Sequence, residues 1–121
     1  MRLARWVFTA AGIYGIAVLA PLLFVEAQVA APARRLDHPE YFYGFLLVAL
    51  ACQVLFLVIA RDPVRLRPAM IPCVLEKLPF GATAIFLWLH GRAATPVAGF
   101  AGIDIAWGLL FAVAYARTPK A

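Results

Sequence analysis

Four runs of apolar residues, each about as long as a lipid bilayer demands, divide the chain: about Trp6 to Val25, Tyr41 to Ala60, Ala69 to Leu89, and Val97 to Ala116. A hydrocarbon core roughly 30 Å thick takes about 20 such residues as an α-helix. Strands of a transmembrane barrel would instead alternate apolar and polar positions with period two, whereas these runs are apolar on every side. The pattern therefore predicts an all-α polytopic membrane protein, an up-and-down four-transmembrane-helix bundle. The joining segments, 26–40, 61–68 and 90–96, are too short to hold a core of their own. Residues 1–121 are accordingly expected to form a single four-helix transmembrane domain.

Composition strengthens this picture. Of the 121 residues 65% are hydrophobic and only 14% charged, against about 45–50% and about 25% in soluble domains; mean hydropathy is +0.90. The first run follows Arg2 and Arg5 as in a signal peptide, but it exceeds the roughly 7–15 residues of such a segment and is read as a retained helix.

Basic residues set the expected orientation. One side holds Arg2, Arg5, Arg61, Arg65, Arg67, Arg117 and Lys120; the other holds Arg34, Arg35 and Arg92, with Lys77 inside the membrane. The richer side is predicted to be cytoplasmic, so both termini lie there. The net charge of +5 and pI near 9.8 then follow from cationic loops that meet anionic headgroups. Membrane lipids are the expected surroundings and nucleic acid is not an expected partner. Trp6, Tyr41, Phe42, Tyr43, Trp88 and Tyr115 fall near span ends, where aromatic belts form.

Against this apolar background Glu76-Lys77 stands out, in the third span between Pro72 and Pro79. Charges at that depth cost several kcal/mol unless they face a cavity, a partner or each other. At 1.5 Å per residue, Glu76 and Lys77 lie roughly 10 Å from the inner boundary, Tyr14 and Gln53 about 12 Å, and Asp104 about 20 Å. Glu76, Gln53 and Tyr14 are thus expected to share a layer, while the long Lys77 stem or helix tilt allows an ion pair with Asp104. Neighbours on a helix point about 100° apart, so Glu76 and Lys77 are expected to address different partners, leaving Glu76 to Tyr14, Gln53 or water. Two carboxyls then face one ammonium, and one of the carboxyls is best kept protonated.

Pro79 denies the carbonyl of Leu75 its donor, and Pro72 does the same near Pro68. Freed carbonyls beside Glu76 need a cavity or a protein wall, with Gly81 and Thr83 easing a bend. Glu76, Lys77, Asp104, Trp107, Gln53 and Tyr14 are accordingly the candidate ligand-binding residues. The plainer reading is a polar clamp that holds the bundle together. Ala11 and Gly15, and Ala98, Gly102 and Ala106, form small-residue stripes for close helix approach, in the bundle, a homo-oligomer or a larger membrane complex. The stripe on the fourth helix lies opposite Asp104, Trp107 and Phe111, so that face is expected to pack closely while the other looks into the pocket.

Cys52 and Cys73 have no redox spacing and read as small buried hydrophobes. Glu26, Asp37, His38, Glu40 and His90 gather near one mouth without metal-ligand spacing and read as a solvated rim, so no metal or cofactor is expected. His38-Pro39-Glu40 is a helix start. No GxGxxG, P-loop or GxSxG motif occurs. The two halves of the chain lack the similarity of an inverted-repeat exporter, since Glu76-Lys77 has no counterpart in the first helix.

Tyr41-Phe42-Tyr43-Gly44-Phe45, Arg61-Asp62-Pro63-Val64-Arg65 and Leu75-Glu76-Lys77-Leu78-Pro79-Phe80-Gly81 resemble small four-helix bacterial membrane proteins over most of the chain. That resemblance implies a fold and no activity. Glu76 shortly before Leu78-Pro79-Phe80, with Asp104 in a later helix, also resembles the EXPERA group over about half the chain. Those sterol isomerases and sterol- or amine-binding proteins line an intramembrane pocket with acids; Lys77 departs from their pattern, and no catalytic role is transferred. Three functions remain open: a binder of a small hydrophobic or amine-bearing ligand or an accessory subunit; a lipid or isoprenoid enzyme whose buried carboxyl shuttles a proton; and a proton-coupled transporter.

Overall fold

The computed structural model describes residues 2–25 and 38–121. Helix α1 spans Arg2–Leu19 and tightens into a 3-10 segment over Ala20–Phe24; α2 spans Pro39–Arg61. A 3-10 turn, Arg67–Ala69, leads into α3, Met70–Leu89, and α4 spans Thr95–Arg117. Among the described residues there is no strand. Each of the four spans is 23 residues long and apolar enough to cross a membrane. At 1.5 Å per residue that is about 35 Å, enough to cross the hydrocarbon core with some tilt.

Local chemistry sets the helix ends. Pro39 opens α2 where a missing N–H costs nothing, with Glu40 in the first turn. Helix α3 stops at Gly91, whose φ of +72° suits a residue without Cβ. Gly91 N–H donates to the Trp88 carbonyl at 3.0 Å and Arg92 N–H to that of Leu87 at 2.8 Å, the paired bonds of a Schellman cap. The Thr118 hydroxyl and N–H both donate to the Ala114 carbonyl, at 2.6 and 2.9 Å, and close α4. Pro72 falls in the first turn of α3 and so removes no helical hydrogen bond, unlike Pro79 inside the helix. The expected disruption is therefore confined to the turn between Leu75 and Pro79.

Side-chain pairings fix the bundle as antiparallel throughout. Gly12 meets Leu57 and Gly15 meets Gln53, so α1 and α2 run in opposite directions. Phe8 stacks on Phe111 with ring centroids 4.4 Å apart and Tyr14 lies 5.9 Å from Trp107, which sets α1 against α4. Gly81 faces Ile105 and the Ala101 carbonyl, and Gly108 faces Leu78, which presses α3 onto α4. The core is aromatic: Phe8, Phe56 and Phe111, one from each of α1, α2 and α4, are fully buried and contact one another. Such rings combine large apolar area with edge and stacking geometry.

Helices α2 and α3 meet far less than α3 and α4 do, so the bundle is open along that side. Only 28, 28, 28 and 22% of the most apolar window in the successive spans is buried. The remaining surface carries Leu47, Val48, Leu89, Phe100 and Leu109, all exposed, as a surface solvated by lipid tails requires.

The α4 stripe differs from the sequence expectation. Gly102 has nothing within 4 Å of an added Cβ and Ala106 is exposed, while Ala101, Gly108, Phe111 and Ala114 form the packed face. The reason is register: α3 presents Gly81 and Leu78 to positions 101, 105 and 108, leaving 102 and 106 on the outer surface.

Antiparallel order places Arg2, Arg5, Arg61, Arg65, Arg67 and Arg117 at one end of the bundle. Arg67 Nε donates to the Tyr115 carbonyl at 3.1 Å, and its guanidinium lies 3.8 Å from the Tyr115 ring centroid. Tyr115 thus ties the 61–69 connection to the end of α4 through a hydrogen bond and a cation–π contact. Trp6 and Tyr41 are exposed at span ends, as anchors are. Arg34 and Arg35 lie outside the described residues.

Candidate functional site

The third span carries Glu76 and Lys77 about two turns after the start of α3, and the fold turns both inward. Lys77 is 6% exposed. Its Nζ lies 3.4 Å from Asp104 Oδ1, across the α3–α4 contact, and 3.5 Å from Glu76 Oε2 on its own helix. The close approach that lets the ammonium reach Asp104 depends on Gly108, whose Cα faces the Lys77 Cβ and the Leu78 side chain. On its other side the ammonium sits 5.5 Å from the centroid of the Phe56 ring, a further cation–π partner. One base is thereby shared by two acids and an aromatic face.

This corrects one expectation. Glu76 and Lys77 do not address different neighbours, because both side chains are long enough to bend back towards one point despite the angle between their Cα–Cβ bonds. Nor does Gln53 take up Glu76. Gln53 is fully buried, donates from Nε2 to the Ala49 carbonyl at 2.8 Å, and lays its amide against Gly15. Tyr14 packs on Trp107 instead. Gln53 Oε1 is left as a buried oxygen without a hydrogen bond, and the buried Glu76 Oε2 has only its ion pair with Lys77. Such orphaned acceptors are uncommon and costly in a low-dielectric interior.

The open side of the bundle is a crevice of about 380 Å³ between α2 and α3, within the about 300–1,000 Å³ usual for small-molecule sites. Gly44, Phe45, Val48, Ala49 and Cys52 form one wall; Glu76, Phe80 and Asp104 form the other. At the mouth the Phe45 and Phe80 rings stack with centroids 5.8 Å apart. The arrangement is a greasy slot with two carboxyls in its inner wall and an ammonium behind them. Chemically it can hold an apolar tail, accept hydrogen bonds and stabilise positive charge.

Of the six candidate residues, Glu76 and Asp104 line the crevice and Lys77 joins them by ion pairing. Trp107, Gln53 and Tyr14 are not brought to it; they sit among the packed contacts of α1, α2 and α4. Sequence reasoning passed over Phe45, Phe80, Gly44 and Cys52. Their only sequence signal is the apolar run itself, which does not reveal which face meets a gap between helices.

Among the described residues no group of three or more His, Cys, Asp or Glu gathers as metal ligands. His38 Nδ1 lies 3.0 Å from Glu40 Oε1 in an exposed pair, and His90 Nδ1 lies 2.9 Å from the Phe86 carbonyl. Glu26 and Asp37, the other members of that rim, lie outside the described residues. Comparisons with protein-family models, curated proteins and solved structures find no match for this chain.

Proposed function

We propose that this small four-helix membrane protein binds a hydrophobic, amine-bearing molecule in the crevice between α2 and α3, with Glu76 and Asp104 receiving the amine. The observation that carries the reading is the pairing of an apolar slot with two carboxyls that share one ammonium. A polar clamp alone explains the Lys77–Asp104 pair but not the open volume beside it. An all-apolar lipid has no use for the two acids. The slot opens along the least-packed side of the bundle, so the ligand enters sideways from the bilayer, past the stacked Phe45 and Phe80 rings. The basic end of the bundle is assigned to the cytoplasm.

Thermal unfolding of the purified protein tests the reading. Octylammonium should raise the melting temperature more than octanol does at equal concentration, by the stabilisation expected of any ligand that binds only the folded state. Glu76→Gln and Asp104→Asn should each remove that preference. Equal shifts with both compounds, or none with either, argue against a cation-accepting site.

A further inference from the structure

Between the helix ends the titratable side chains are few. Past the first and before the last turn of each helix they are, among the described residues, Tyr14 on α1, Tyr43 and Cys52 on α2, Cys73, Glu76 and Lys77 on α3, and Asp104 on α4. Tyr14 is packed on Trp107, Cys73 Sγ donates to the Ala69 carbonyl at 3.2 Å, and the Cys52 thiol lines the crevice. Lys77 is the sole base among them, and it lies within 3.5 Å of both acids. With both carboxyls ionised, the cluster would hold an uncompensated negative charge inside a hydrocarbon layer, which a low dielectric opposes. A proton on one carboxyl restores neutrality. So does an organic cation lying in the crevice, where Glu76 and Asp104 form part of the wall.

We propose that the crevice exchanges these two: an organic cation with an apolar tail takes the place of a proton on the Glu76–Asp104 pair, and binding releases that proton to water. The O–H bond of one carboxyl breaks, its electron pair stays on oxygen, and the proton leaves as the cation arrives. Total charge in the cluster stays at zero before and after. This exchange rests on the binding site proposed above and adds a stoichiometry to it. Linkage then requires cation affinity to rise with pH, by up to about tenfold per unit where the empty site is protonated.

The probe is octyltrimethylammonium, which has no dissociable proton, so any proton released must come from the protein. Calorimetric titration of the protein in lipid nanodiscs, in two buffers of different ionisation enthalpy, counts protons per cation bound; octanol is the neutral control. The expected result is about one proton released per cation, none with octanol, and affinity that rises with pH. Asp104→Asn and Glu76→Gln each leave one carboxyl opposite Lys77, a neutral cluster with nothing to exchange. Each should lose at least about tenfold in cation affinity, or about one charge's preference, while still binding octanol. Cation binding with no proton release and no pH dependence overturns the exchange and leaves the binding site standing. Absence of cation binding to the wild-type protein overturns both.

Discussion

Lys77 is the residue on which the others depend, because among the described residues it is the one base that lies between two acids in the interior of the bundle. Lys77→Met removes the positive charge and keeps most of the stem volume. The expected loss of stability is about 2–4 kcal/mol, somewhat under the cost of breaking a fully buried pair because Glu76 and Asp104 keep 28 and 20% of their side-chain surface. The loss should shrink in acid, where protonated carboxyls need no counter-charge, and grow in alkali; unfolding in mixed micelles across pH measures it. A pH-independent loss would mean that Lys77 acts by packing. The cysteines give a second residue-scale outcome. Cys52 is half-buried in the crevice wall and Cys73 is buried, so a lipid-soluble maleimide should label Cys52 and spare Cys73, as mass spectrometry of the intact protein and its peptides will show. Glu76, Lys77 and Asp104 were legible in sequence because ionisable groups inside apolar runs have few reasons to exist. The inward bend of Glu76 and the turn of Gln53 onto Gly15 were not, since rotamers answer to neighbours from other helices.

At the level of elements, close approach is governed by a few glycines whose positions answer to partner helices. An added Cβ on Gly81 comes within 2.9 Å of the Ala101 carbonyl, a backbone atom that cannot move aside, whereas on Gly102 it meets nothing within 4 Å. Gly81→Leu should therefore separate α3 from α4 at a cost of about 1–3 kcal/mol, and Gly102→Leu should stay within about 0.5 kcal/mol of wild type. Unfolding of the two variants side by side checks this; equal penalties would place the packed face of α4 at 98, 102 and 106. Arg67→Ala should cost about 1 kcal/mol through loss of its bond to the Tyr115 carbonyl and its contact with that ring. The helix start at His38-Pro39-Glu40 was readable from the sequence because prolines act locally, and the limits of the third and fourth spans followed from hydropathy to within about two residues. Which small residues meet a partner was not readable, because Gly15 and Gly102 look alike until the register of the neighbouring helix is known.

Across the whole molecule, antiparallel helices α1 with α2, α1 with α4, and α3 with α4 make up the packed bundle, and the weak α2–α3 seam forms the crevice. Four spans in up-and-down order followed from hydropathy and short connections alone. Which pair of helices would part did not, because every apolar face is equally compatible with lipid or protein until the aromatic core of Phe8, Phe56 and Phe111 draws α1, α2 and α4 together. The central claim is that Glu76 and Asp104 lie within the bilayer, reachable from lipid through that seam, with a proton held between them. Carboxyl modification in intact proteoliposomes tests this most directly, since dicyclohexylcarbodiimide partitions into lipid and reacts with protonated carboxyls, whereas a water-soluble carbodiimide reaches only those facing water. The account predicts that the lipid-soluble reagent modifies Glu76 or Asp104, that octyltrimethylammonium protects them, and that the water-soluble reagent leaves both untouched. Modification of either residue by the water-soluble reagent, with the lipid-soluble one no more effective, would contradict it.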